Sequence, residues 1–268
     1  MIEFKARSSM PPVNLSLSRP QPQFDEPDLR ISIVVPVLNE AGLVRKLLLR
    51  LRKIAADVEL VVADGMSTDS TVDLAKEHCD CLVQAKPNRA AQLNAGAQAT
   101  HGNVLWFLHA DAEPPPGALA EIGKALQNPA VVGGFFRIRI PERNPVYRLT
   151  DSFGHYAGLL LRMRSGDHGF FCRREIFAQI GGFPEVNLME DVGFFRRLRR
   201  AGRVIIVPKR IVVSPRRYQE IGPLRLSVAY GLIAILYCFG VPLRLLERIY
   251  ARYCCREAAC SRARAVSY

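Results

Sequence analysis

The sequence predicts an α/β fold: a mostly parallel sheet with flanking helices, followed by an apolar and amphipathic helical segment at the C-terminus. Three observations carry that prediction. Apolar runs rich in β-branched residues alternate with helix-periodic segments between Ile31 and Leu126. Strands alternating with helices call for parallel pairing through right-handed crossovers. The runs lack polar alternation, so each suits a strand buried on both faces. With 268 residues and 49% hydrophobic content, the chain can build a large core. The expected division is an N-terminal arm at 1–29, an α/β domain at 30–220 and a C-terminal helical segment at 221–268.

In chain order, "ISIVVPVLN" is the first strand. "EAGLVRKLLLRLRKIA" is an amphipathic helix, with Leu43, Leu47 and Leu51 at four-residue spacing and arginines opposite. "VELVVADG" is the second strand, and "STDSTVDLAKEH" opens a helix on cap-type residues. "CLVQAK" is a short third strand. "RAAQLNAGAQATHG" is an alanine-rich helix that Gly102 is expected to stop. "NVLWFLHAD" is the fourth strand and "ALAEIGKALQN" the next helix. "FFRIRI" alternates Phe136, Ile138 and Ile140 against Arg137 and Arg139, a strand with one wet cationic face. "PEVNLMEDVGFFRRLRRAG" contains a helix striped by Val192, Phe195 and Leu198 and ended by Gly202. "RVIIVP" is the last strand.

From Leu226 to Leu243 the chain is apolar and uncharged, flanked by Arg225 and Arg244. At about 18 residues this sits at the lower edge of a membrane span, and Gly231, Gly240 and Pro242 weaken it as a straight helix. From Arg196 to Arg225, ten Lys or Arg stand against one Glu, and the whole chain carries a net charge of +12. That balance points to an anionic partner. The first thirty residues hold no apolar run of signal length and read as a poorly ordered arm in a cytoplasmic protein. Seven cysteines without a C-x-x-C pair suit reduced, buried thiols and give a structural zinc site little support.

In parallel sheets, ligands sit beyond the carboxyl ends of the strands. The polar groups there are Asn39 with Glu40, Asp64 with Ser67 and Asp69, Lys86 with Arg89, and His109 with Asp111. Asp64 reads either as a capping residue in a glycine turn or as a ligand contact. Asp111 reads either as a turn residue before prolines 114–116 or as a holder of a divalent cation, since Mg²⁺ needs one or two carboxylates plus phosphate oxygens. Glu190 and Asp191 complement a helix dipole, and a general base would also be acidic. Arg216 and Arg217 are a solvated basic face or a diphosphate clamp.

The segments "SIVVPVLNE", "VVADGMSTDST", "NAGAQATHGNVLWFLHAD" and "FPEVNLMEDVGFFRRLRRAG" resemble the family-2 glycosyltransferases of the GT-A fold, from about Ile31 to Tyr218. "NRAAQLNAGA", "FLHAD", "GDHGFF" and "LMEDV" resemble, more narrowly, the arsenosugar-biosynthesis or radical-SAM-associated members. The resemblance implies transfer of a sugar from a nucleotide-diphosphate sugar to an acceptor hydroxyl, with Mg²⁺ or Mn²⁺ and inversion at the anomeric carbon. Pro36, Asn39 and Glu40 would line the nucleotide pocket, and Asp64 would contact the base or ribose. Arg89 and Asn94 would lie near the nucleotide or its phosphates. Asp111 matches the last acid of the DXD motif that binds the metal, with His109 beside it as a second ligand, a ribose contact or a packing residue. Asp167 and His168 fall on the diphosphate or acceptor side. Asp191, with Glu190 beside it, matches the catalytic base. Arg216, Arg217 and Tyr218 are similar to a weakened Q-x-x-R-W motif.

Two departures from the family pattern stand out. His109 replaces the first acid of DXD. Tyr218 replaces Trp, and Ser214 stands where Gln would, which argues against processive synthesis. Two alternatives follow. The basic stretch and its apolar sequel could bring the chain to the inner membrane surface, with a lipid acceptor such as a polyprenyl phosphate. The His109 departure could instead mark a non-catalytic nucleotide-sugar-binding homologue. Nucleic acid is not expected as a partner, since no recognition motif accompanies the basic residues.

Overall fold

A computed structural model describes residues 29–141 and 163–254. The expected N-terminal arm up to residue 28, the stretch 142–162, and residues 255–268 with Cys255 and Cys260 lie outside the described residues.

The strands are β1 (Ile31–Val37), β2 (Glu59–Asp64), β3 (Cys81–Gln84), β4 (Val104–Phe107), β5 (Val131–Arg139), β6 (Phe171–Arg173) and β7 (Arg203–Val212). They form one seven-stranded sheet in the order β3-β2-β1-β4-β6-β5-β7. β6 alone runs against its neighbours, pairing antiparallel with β4 and β5, while β5 and β7 are parallel. The helices are α1 (Ala41–Ile54), α2 (Thr71–Lys76), α3 (Arg89–Gln98), α4 (Ala118–Leu126), α5 (Arg174–Gln179), α6 (Glu190–Ala201), α7 (Arg216–Ile221), α8 (Pro223–Cys238) and α9 (Leu243–Cys254).

The all-apolar strands are explained by a core on each side of the sheet. Ile33, Val35 and Trp106 pack under α1 and α4, through Val44, Leu47, Leu48 and Ile122. Val34, Leu105 and Phe107 point the other way, against Leu93 of α3 and Phe194 and Leu198 of α6. Adjacent residues of one strand thus bury into different layers, which removes the polar alternation of a one-sided sheet.

The predicted strands and helices of the first half are present, with local corrections. α3 ends at Gln98, four residues before Gly102, and Ala99 N–H closes it on Ala95 and Gly96 carbonyls. Gly102 serves close approach instead: a Cβ there would lie 2.4 Å from the Arg30 carbonyl and from Ser32 Oγ. β5 starts at Val131, ahead of the alternating "FFRIRI", because Val131–Phe136 is buried on both faces. β7 continues past Pro208 to Val212, and the pairing slips between Val207 and Arg210. Proline donates no ladder hydrogen bond, so an irregularity there lets the strand resume. β6 and α5 were not expected from the sequence.

The apolar run after Leu226 is a hairpin, not one helix. α8 stops at Cys238, the chain turns through Gly240 at φ 77°, and α9 begins after Pro242. Leu226, Ala229, Ile233, Leu246 and Cys254 form the hairpin's core, with Leu188, Met189 and Tyr218 packed against it. Among the described residues no helix is long and apolar enough to cross a membrane.

Candidate active site

The site is built where β1, β2, β3 and β4 end, closed by the 3-10 turn Gly166–His168 and the first turn of α6. β1 ends in a tight connection. Asn39 adopts φ 55°, a left-handed conformation that asparagine tolerates better than most residues. Its N–H donates to Ser67 Oγ at 2.9 Å, and its Oδ1 accepts from Thr68 N at 2.8 Å. Pro36, the last β1 residue but one, is partly buried. The loops after β1 and β2 therefore brace each other.

Asp64 at the end of β2 is fully buried. One carboxylate oxygen accepts from Ser67 N at 3.0 Å, and the other, Oδ1, has no partner. A buried acceptor left unpaired costs about 1–3 kcal/mol, so such an atom at a ligand-binding edge points to a donor supplied by something bound. Gln92, a residue with no local signal of its role, lies behind the same edge. Its amide donates to the Val37 and Ala63 carbonyls at 2.7 and 3.0 Å, tying β1 to β2 where both end.

Glu40 faces Arg216 of α7 across 3.5 Å. Burial raises the Glu40 carboxyl above its ordinary value; Arg216 pulls it down and the charge of Asp111 pushes it up. Glu40 and Asp111, from different strand ends, therefore share one electrostatic neighbourhood. Asp111 is partly buried, and among the described residues its carboxylate makes no hydrogen bond or ion pair. No group of three His, Cys, Asp or Glu suited to a metal occurs among the described residues. A cation here would take Asp111 as its protein anchor and complete its shell from a ligand's oxygens, as hard divalent cations do.

His109 Nδ1 pairs with Asp167 Oδ1 at 2.9 Å, and its Nε2 lies against Gly166. The ring links β4 to the 3-10 turn, with Nδ1 held by Asp167. Burial would raise Asp167, yet the hydrogen bond and charge of His109, with Arg89 beyond, hold it below the usual carboxylate range. His168 corrects its expectation too. It is buried, its Nδ1 meets the Phe136 carbonyl at 2.8 Å, and its ring stands edge-on to Phe135. Asp167 turns to the cleft and His168 to the core.

α6 opens on Met189, held at φ 65°. Glu190 is 5% exposed and accepts from Arg89 Nη1 at 3.1 Å. Asp191 accepts from Gly166 N at 2.8 Å and from Val192 N at 2.7 Å. Burial and the neighbouring Glu190 charge raise its carboxyl to about 6, against the opposing pull of Arg89 and the two N–H donors. Of the adjacent acids, Glu190 is Arg89's buried partner and Asp191 is the one poised to exchange a proton near neutrality.

Asn94 is placed differently from its expectation: its amide bonds both the N–H and the carbonyl of Phe183 at 2.9 Å. It holds the loop that leads into α6. Arg217 and Tyr218 are also redirected, because "SPRRYQE" forms helix α7. Arg217 donates to Tyr250 Oη and lies 5.3 Å over that ring, while Tyr218 packs on the hairpin. Tyr250 is a further residue that sequence reasoning missed. Its phenol, with Asp191 and Asp167, lies within electrostatic reach of the Arg89 guanidinium.

Residues 32–183 match the model of glycosyl transferase family 2, which is more than half of the chain. The chain belongs to that family. At the sequence level the chain is 27% identical over 227 residues to a pre-mycofactocin glycosyltransferase of Mycobacterium tuberculosis, covering 77% of this chain and 47% of that protein. It spans between 47% and 66% of the length of the mycobacterial relatives it matches. Among solved structures it is similar to a mannosyltransferase of Pyrobaculum calidifontis in complex with GDP-Man and Mn²⁺, at TM-score 0.61 and 23% identity, covering 77% of this chain and 62% of that one. It is also similar to glucosyl-3-phosphoglycerate synthase of Mycobacterium tuberculosis in complex with Mn²⁺, UDP and phosphoglyceric acid, at TM-score 0.58 and 20% identity, covering 80% of each chain. These likenesses show the GT-A fold.

Proposed function

We propose that the transferase moves a sugar from a nucleoside-diphosphate sugar to an acceptor hydroxyl, with Asp191 as general base and inversion at the anomeric carbon. The observation that carries the reading is Asp191, raised to about 6 beside a sheet edge that also holds Asp111 and Asp64 with unpartnered oxygens. At neutral pH such a carboxylate is ionised, yet basic enough to accept a proton. It takes the proton of the acceptor hydroxyl while that oxygen bonds to the anomeric carbon. The bond from that carbon to the diphosphate breaks, and its electron pair leaves with the diphosphate. A divalent cation, Mg²⁺ or Mn²⁺, anchored on Asp111 would supply charge to neutralise the leaving group. Asp64 receives the nucleoside in its unpartnered oxygen, the braced Asn39 loop walls the nucleotide, and Arg89, held by Glu190, faces the phosphates. The narrower kinship to the arsenosugar-biosynthesis and radical-SAM-associated members belongs to the same proposal and rests on "NRAAQLNAGA" and "GDHGFF".

Thermal unfolding with UDP or GDP, with and without Mn²⁺, tests the reading. A nucleotide bound only to the folded state stabilises it by about 2.7 kcal/mol at a hundredfold excess over Kd. The expected result is a shift for one nucleotide that needs Mn²⁺ and disappears in Asp111→Ala. No shift with either nucleotide would sink it. A metal-dependent shift with no sugar transfer or hydrolysis would instead favour a nucleotide-sugar-binding homologue.

A further inference from the structure

The hairpin, which packs on Leu188, Met189 and Tyr218, has an outer face that the fold leaves bare. Leu224, Val228, Leu232, Ile235 and Phe239 of the α8 region are 70%, 62%, 46%, 50% and 83% exposed. At about 100° per residue these five lie within an arc of roughly 80°. The buried Leu226, Ala229 and Ile233 point the opposite way into the hairpin core. α8 is therefore apolar on both its inner and its outer face, and no side chain of the outer arc can form a hydrogen bond. A stripe like this on a soluble surface marks an interaction site.

The charges around it say what covers it. Arg225 stands at the stripe's edge, and α9 exposes Arg244, Arg248 and Arg252 at four-residue spacing, with Leu245 beside them. Among the described residues none of these four guanidinium groups has an ion-pair or hydrogen-bond partner. An anionic bilayer asks only for apolar side chains to enter the acyl boundary and for cations at the headgroups.

We infer that the α8–α9 hairpin seats the transferase on an anionic lipid surface, through the stripe Leu224–Phe239 and the arginines of α9. Each basic residue near such a surface multiplies partitioning by roughly fivefold, and the aliphatic stripe adds a contribution that salt does not screen. Among the described residues no helix is long and apolar enough to cross a membrane, so the seating argued here is a peripheral one. Because Tyr250 of α9 lies within electrostatic reach of Arg89, the seating brings the lipid surface near the site, and a lipid-borne acceptor hydroxyl is the substrate class it favours; that last step rests on the proposed function.

Flotation of the full chain with vesicles of phosphatidylglycerol and phosphatidylcholine, against vesicles of phosphatidylcholine alone, tests the seating without any turnover. The full chain should float with the anionic vesicles at least tenfold more than with the neutral ones. Leu232→Glu/Ile235→Glu should abolish flotation, and Arg244→Gln/Arg248→Gln/Arg252→Gln should reduce it at least tenfold. Phe239→Asp, at the exposed hairpin turn, gives a second apolar test should the double variant fail to fold, with thermal unfolding checking each. Absence of flotation, or equal flotation on both vesicles, overturns the inference. So does a dimer in sedimentation that Phe239→Asp breaks while flotation is unchanged, since the stripe would then bind a second copy. Loss of flotation leaves the nucleotide-dependent thermal shift intact, so the two readings fail separately.

Discussion

β2 begins and ends on an acid, and the two have been treated oppositely. Glu59, at the amino end, accepts from Ser32 Oγ, from His101 N at 2.8 Å and from Gly102 N at 3.3 Å, and pairs with His101 Nδ1 at 2.7 Å. Burial works against its charge, but those donors hold it down at about 2. Asp64, at the carboxyl end, is more deeply buried and keeps an oxygen with no donor at all. Asp111 and Asp191 share that second edge, one without a partner and the other raised to about 6. One edge of the sheet is closed by hydrogen bonds that stabilise the fold; the other holds one buried carboxylate oxygen with no donor, beside a half-buried carboxylate and one raised by burial and a neighbouring charge. An unmet buried acceptor costs stability, so the place of Asp64 Oδ1 at the edge where parallel sheets bind ligands is a sign of function.

The largest effect expected from breaking this contrast is on turnover. Asp191→Asn keeps the shape and an oxygen for Gly166 N–H but cannot take a proton. Turnover should fall by roughly 10²–10⁴ while the nucleotide-induced thermal shift persists. Unchanged turnover in steady-state assays would remove Asp191 from the chemistry. Next in size is Asp64→Asn, which puts an amide donor where the unpartnered oxygen stood. Nucleotide affinity, read by calorimetry, should weaken by about 10–100-fold, the loss of one charged hydrogen bond, with no fall in the unfolding temperature of the free protein.

Much of this edge was legible in the sequence, and the reason is geometric. Buried parallel strands write continuous apolar runs, so their ends are visible, and a polar residue at such an end has one place to go. Asp64 and Asp111 were singled out that way, and the acids opening α6 as neighbours at the start of a helix. What failed was discrimination between neighbours. Asp167 and His168 are adjacent in a 3-10 turn, and successive residues there point to different sides; only the packing on Phe136 decides which one meets the core. Glu190 and Asp191 divide likewise, because Arg89 arrives from α3 to claim one of them. Arg217 looked like a phosphate clamp until α7 formed and turned it onto Tyr250. Gln92 and Tyr250 carried no local signal, since their roles exist only through contacts with strands and helices distant in sequence.

At the closed edge, smaller effects are expected and of another kind. Glu59→Gln keeps the shape but turns one acceptor oxygen into a donor facing Ser32 and Gly102. It should cost about 1–2 kcal/mol, lowering the unfolding temperature by roughly 2–6 °C for a domain of this size, without changing the catalytic constants. A loss of activity larger than the loss of folded protein would show that the two edges are coupled.

The smallest effects, and the sharpest test of the contrast, lie in pH. A carboxyl lowered by folding, such as Glu59 at about 2 against an ordinary 4.5, stabilises the protein above pH 4.5, and that contribution is lost as pH falls from there toward 2. A carboxyl raised by folding, such as Asp191 at about 6 against 3.8, has the reverse sign: between those values the folded state binds more protons than the unfolded one, so stability falls as pH rises from about 4 to 6 and then levels. Asp191→Asn should therefore unfold at a higher temperature than the parent at pH 7, by a margin that shrinks to nothing near pH 4. Glu59→Gln should unfold lower than the parent at pH 7, with a deficit that persists at pH 5 and closes only below 4.5. Calorimetric scans of both variants across this range give two curves of opposite sign. If the Asp191→Asn margin were flat with pH, the open edge would carry no stored cost and Asp191 would be an ordinary surface acid.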